Sequence, residues 1–166
     1  MASMLLMVAL AQAEVVDRIV SVVGQDVVTQ SDVEFELALA ERDASPIPVF
    51  EAGEVLARVE DYQILRRLAS SVRLFQPDPS EVEERLRAFA ESFALRADYA
   101  DFLRRWGLDG YGLRGELAMR MLCERYVQRN VGLALRDPTP WTWREAYEEF
   151  MVPLRRQAGI RHIEEW

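Results

Sequence analysis

The sequence contains no lysine, one cysteine and one histidine. Each scarcity removes a class of chemistry. A lone cysteine, Cys123, excludes an internal disulfide, and its position excludes a lipid-anchor cysteine at the end of an N-terminal leader. His and Cys together are too few for a zinc-type cluster. A Ser-His-Asp arrangement has only His162 to use, and no G-x-S-x-G elbow is present. The glycines between 107 and 112 follow no strand and have no lysine beside them, so they form no phosphate loop. No apolar run is long enough to span a bilayer as a helix. Internal repeats, coiled-coil heptads and low-complexity tracts are also missing.

All 20 cationic side chains are therefore arginine, against 28 acidic ones, for a net charge of -8. That balance argues against nucleic acid as a partner, because phosphate binding needs a basic face. The arginine bias fits genome composition, and some of these planar donors are suited to peptide carbonyls or carboxylates. At 166 residues, half of them hydrophobic and 29% charged, the composition is that of one globular domain. Acidic runs such as Glu81, Glu83 and Glu84, or Glu148 and Glu149, fall beside helical apolar stripes and read as solvated faces.

Residues 1–13 read as a secretory signal peptide. An apolar run over 4–10 precedes Ala11, Gln12 and Ala13, an A-x-A cleavage site, although the leader has no basic residue. Export without disulfides is compatible with a bacterial periplasm.

The mature chain opens with β-branched residues over 15–23, then Gly24 and Gln25, then Val27, Val28 and Thr29. This predicts a hairpin with a type II′ turn, which takes glycine at its first central position. Ser31 and Glu34 have capping-box spacing and predict a helix over 31–42. The prolines at 46 and 48 make a loop. A second helix is predicted over 51–73, with Val55, Val59, Tyr62, Leu65, Ala69 and Val72 on one face. Asp78 or Ser80 caps a third, with Pro79 in its first turn and the stripe Val82, Leu86, Phe89 and Phe93. A short fourth helix carries Tyr99, Phe102, Leu103 and Trp106 and stops at Gly107. Gly110, Tyr111 and Gly112 read as a flexible connection to a long helix over 113–133. Its apolar face includes Leu117, Met121, Leu122 and Tyr126, and Cys123 in that run reads as a buried, inert thiol. Thr142 and Glu145 suggest a capping box for the last helix, with a kink at Pro153 and a stop at Gly159. Residues 160–163 are a strand candidate, with His162 half-exposed on it.

A hairpin alone is marginal in water, and a third strand makes it viable. The expected fold is therefore mainly α with a small β-sheet. The N-terminal hairpin pairs with a short C-terminal strand around about six helices, as one domain over 14–166. Trp106, Tyr111, Trp141 and Trp143 fall at or near helix ends. They are candidates for a peptide-binding surface if exposed, and gap-fillers between helices if buried. Met119 joins the candidates as a flexible apolar side chain able to adapt to varied sequences.

The segment VVDRIVSVVGQDVVTQSDVEFEL resembles the start of mature SurA-type periplasmic chaperones. Val15, Val16, Asp17, Arg18, Val22, Val23, Val27, Val28, Ser31 and Asp32 stand at the places that carry the likeness. The later helices and the closing segment FMVPLRRQAGIRHIEEW resemble the same family more weakly. Members insert parvulin-type prolyl isomerase domains between the long helix and the closing segment, whereas here residues 129–141 connect them directly. Residues 159–163 also resemble the first strand of a parvulin domain, but the sequence stops at Trp166. The resemblance implies a fold like the SurA N-terminal domain or the trigger-factor peptide-binding domain. It implies an ATP-independent holdase that is not an enzyme and needs no cofactor or metal. Its partners would be unfolded polypeptides, outer-membrane protein precursors above all, with no stable membrane insertion. The alternative is a non-catalytic envelope subunit that binds one specific protein.

Overall fold

A computed structural model describes residues 17–43, 45–47 and 54–163. The predicted leader, Val15, Val16 and the predicted start of the second helix lie outside the described residues. Strand β1 (Ile19–Val23) turns through Gly24 and Gln25 into β2 (Asp26–Thr29). Gly24 has φ +64° and, among the described residues, no other residue type has positive φ, so only the first central residue of the turn needs glycine, as in type II′. Strand β3 (Ile160–His162) adds to the other edge of β1, giving the order β2-β1-β3, antiparallel throughout. The register sets Ser21 opposite His162, Val22 opposite Arg161 and Val23 opposite Ile160. The first and last described strands thus meet in one sheet, and the mainly helical architecture with a small sheet is as the sequence predicts.

Six α-helices carry the rest: α1 (Gln30–Ala40), α2 (Val55–Ser70), α3 (Pro79–Glu91), α4 (Arg96–Arg105), α5 (Gly110–Asn130) and α6 (Pro140–Ala158). Several termini correct the sequence reading. Helix α1 is capped by Thr29 and Asp32, not by Ser31 and Glu34. Strand β2 runs into α1 without a loop, so the last strand residue must be the cap, and Ser31 instead bonds Asp17. Helix α5 starts at Gly110 because the Asp109 carboxylate accepts from the Gly112 N–H at 2.7 Å. Gly110, Tyr111 and Gly112 are thus its first turn rather than a flexible connection, and at the far end Leu133 falls in a short 3-10 turn (Gly132–Ala134). Helix α6 is capped by Thr139, with Pro140 at the first position and Thr142 at the third, so Thr142 closes the box instead of opening it. It is continuous through Pro153, whose ring lies on the exposed face, and Gly159 ends it at φ +67°.

Asp78, not Ser80, caps α3, with Glu81 bonding back to its N–H at 2.7 Å. Helix α4 ends in a Schellman motif, Leu108 N–H to Leu103 O at 2.9 Å and Gly107 N–H to Arg104 O at 3.2 Å.

Two apolar clusters form the core. The larger joins Val23 and Val28 of the sheet to Leu65 and Ala69 of α2, Leu122, Cys123 and Val127 of α5, and Trp143, Tyr147 and Met151 of α6. Val72, expected on the apolar face of α2, falls after its end and is partly exposed. The smaller cluster joins Leu39 of α1, Phe89 of α3 and Leu113 and Leu117 of α5, lined by Phe93, Phe102 and other rings. Burial of each large apolar side chain contributes about 1.5–3 kcal/mol. Helix α5 passes through both clusters and is the axis of the domain.

Candidate functional site

Helices α1, α2 and α5 enclose a half-open cavity of about 170 Å³. Each helix lines it with four residues at the same spacing, i, i+3, i+4 and i+7. These are Asp32, Phe35, Glu36 and Leu39 from α1, Val59, Tyr62, Gln63 and Arg66 from α2, and Glu116, Met119, Arg120 and Cys123 from α5. That spacing is one face of a helix, so three such faces converge. Leu39, Val59 and Cys123 lie deep and buried, while Arg66 and Glu116 stand exposed at the mouth.

Behind the cavity runs a buried chain of alternating charges. Glu36 meets Arg58 at 3.0 Å and Arg120 at 2.6 Å. Arg120 reaches Asp43 at 3.0 Å and lies 5.3 Å from the centre of the Tyr62 ring. Arg85 bonds both oxygens of Asp43 at 2.7 Å and grips Glu124 at 2.5 and 2.9 Å. Ser45 donates to the same Glu124 at 2.9 Å. Three arginines and three carboxylates from α1, α2, α3, α5 and the segment after α1 thus cancel in formal charge. Burial works against the charge on Arg85, but its bonds to Glu124 and Asp43 outweigh it and raise its pKa above the ordinary arginine value. The two bidentate forks of Arg85 satisfy Asp43 and Glu124, without which burying these carboxylates would be very costly.

Burial, with Glu124 next to it, pushes the Cys123 thiol up to about 12. It is protonated at neutral pH and is no nucleophile. His162 lies on the edge strand, its side chain 63% exposed and its Nε2 2.9 Å from Glu60. Among the described residues, no group of three His, Cys, Asp or Glu side chains is placed to share a metal ion. No helix there is long and apolar enough to cross a membrane.

The structure does not bring the five sequence candidates together. Met119 lines the cavity. Trp106 stands beside it, its ring 5.2 Å from that of Phe35. Tyr111 is 82% exposed at the start of α5, and Trp141 is 72% exposed at the start of α6. Trp143 is a correction: at 6% exposure it is a core residue. Its ring is so close to Gly132 that a Cβ there would sit 2.7 Å from it. Thr139 caps α6 three residues earlier than expected, and Trp143 shares the buried face of the helix with Tyr147 and Met151. Sequence reasoning missed Phe35, Leu39, Arg66, Glu116 and Arg120 as cavity residues. The repeated four-residue spacing is a legible signal, but it does not say which helix faces converge. The chain matches no family model, no curated protein and no solved structure.

Proposed function

We propose that this chain is an ATP-independent periplasmic holdase that binds unfolded polypeptides, outer-membrane precursors among them, without prolyl isomerase activity. The observation that carries this reading is the opening segment. Its likeness to SurA-type chaperones continues through Asp17, Arg18 and the valines of β1 and β2 into Ser31 and Asp32. The placement of that hairpin supports it, since β1 is the central strand and pairs with both β2 and β3. A half-open cavity with mixed apolar and charged walls and exposed apolar side chains such as Tyr111, Trp141, Leu74 and Leu95 offer contact area for extended chains. The net charge of -8 favours solubility of a loaded complex.

The test is aggregation of a denatured β-barrel protein diluted into buffer with the purified mature chain. Suppression near stoichiometric ratio, without ATP, is expected. Unchanged light scattering across a broad range of ratios, together with recovery of one stoichiometric folded partner in a pull-down from envelope extract, would replace the holdase with a dedicated interaction subunit.

A further inference from the structure

The mouth of the cavity between α1, α2 and α5 holds two charges that make no direct bond to the rest of the described residues. Glu36 and Arg120 in its wall belong to the buried ionic chain, and Asp32 is engaged by Thr29 at the cap of α1. Arg66 on α2 and Glu116 on α5 are different: among the described residues their side chains make no hydrogen bond and no ion pair. They line one opening without forming an ion pair with each other, although Arg66 acts on Glu116 through space. The Glu116 carboxyl is held above the ordinary range, by burial first. Asp32 and Glu36 add to that shift, while Arg66 and Arg120 oppose it. A positive group placed beside Glu116 therefore meets an underserved carboxylate, and an anion at Arg66 meets an unengaged guanidinium.

Size limits the rest of the occupant. The volume of about 170 Å³ compares with an apolar cavity of about 150 Å³ that accepts one benzene. One large side chain fits, and a folded partner does not. One apolar group, one cation and one anion on a single small scaffold describe an amino-acid zwitterion.

We propose that this cavity binds a free α-amino acid with a large apolar side chain. Its ammonium faces Glu116, its carboxylate faces Arg66, and its side chain enters between Phe35, Leu39, Val59 and Met119. A residue within a polypeptide presents the same side chain but neither charge. The inference therefore stands apart from the holdase reading, and the two can fail separately.

The full chain is titrated with L-phenylalanine and with N-acetyl-L-phenylalanine amide, by calorimetry and by thermal unfolding. L-phenylalanine is expected to bind saturably and raise Tm. The blocked compound, lacking both charges, should bind at least about tenfold more weakly. Arg66→Gln and Glu116→Gln should each weaken L-phenylalanine by about tenfold or more. Neither side chain bonds to the rest of the described residues, so the Tm without ligand should move little. Absence of saturable binding overturns the proposal, as does unchanged affinity in both variants. Equal affinity for the blocked compound also overturns it, and would give the cavity to side chains of bound polypeptide, with the holdase reading intact.

Discussion

The contact of α2 with the sheet and α6 is mostly apolar, with Val23, Leu65 and Met151 fully excluded from water. Its buried carboxylate Asp61 accepts from Tyr147 at 2.8 Å and from Arg155 at 2.7 and 2.6 Å. The contact of α1 and α3 with α5 is partly ionic, with Glu36, Asp43, Arg120 and Glu124 almost as deeply buried. Both regions fill space and both hold helices at fixed distance. They differ in tolerance. An apolar contact loses energy in proportion to the atoms removed, because its parts are interchangeable. A buried ionic chain depends on each member, since removing one charge strands its neighbours in a low dielectric. The candidate cavity lies at the boundary, lined by Glu36 and Arg120 of the ionic chain and by Val59 and Cys123 of the apolar cluster. Its shape is thus set by forked, directional bonds on one side and by volume on the other.

Substitutions can break this contrast. The largest effect is expected from Arg120→Met, which leaves Glu36 and Asp43 each short of a partner. It should cost about 3–5 kcal/mol in urea unfolding. Adding Glu36→Gln should cost less than the sum of the two single changes, because the stranded charge is gone. Additive costs would show that the ionic chain is not acting as a unit. In the apolar region, Leu65→Ala should cost about 3 kcal/mol by the same measurement, from lost transfer energy plus the cavity left behind. A loss below about 1 kcal/mol would mean that the region collapses around the gap.

Cys123 sharpens the boundary itself. The thiol has an ordinary value of 9.0 and is pushed to about 12 in the folded chain by burial, then by Glu124. Its proton is therefore held more tightly in the folded state than in the unfolded one. The stability linked to it is complete below pH 9 and falls as pH rises through the window from 9.0 to about 12. Tyr62 and Tyr147 are shifted upward as well, burial leading in both, and add to the same alkaline decline. Cys123→Ala should flatten the stability profile in that window, by about 1 kcal/mol at pH 10. An identical alkaline slope in wild type and variant would place the thiol in contact with water.

Much of the apolar region is readable from the chain. The stripe Val59, Leu65 and Ala69 on α2 and the pair Trp143 and Tyr147 on α6 follow helical spacing, while the buried Met151 is not read on that stripe, and the hairpin with its partner strand follows from β-branched runs and one glycine. The caps were legible only in kind. Thr29 and Thr139 replace Ser31 and Thr142 because the preceding strand or loop decides where a helix begins. The ionic region was hidden. Glu36, Arg58, Arg85 and Arg120 look like solvated helix faces in sequence, and nothing local marks them as partners across 22 to 84 positions of chain.

The sequence by itself determined the helices, the type II′ hairpin, the closing strand and the apolar stripes, because these rest on periodicity and on glycine's freedom at positive φ. Only the tertiary structure decided which charges went inside. An arginine and a glutamate are inexpensive on a surface and costly within, and whether each finds a partner depends on how three helices cross. The same crossing brought three four-residue faces together into one cavity and left Arg66 and Glu116 unengaged at its mouth.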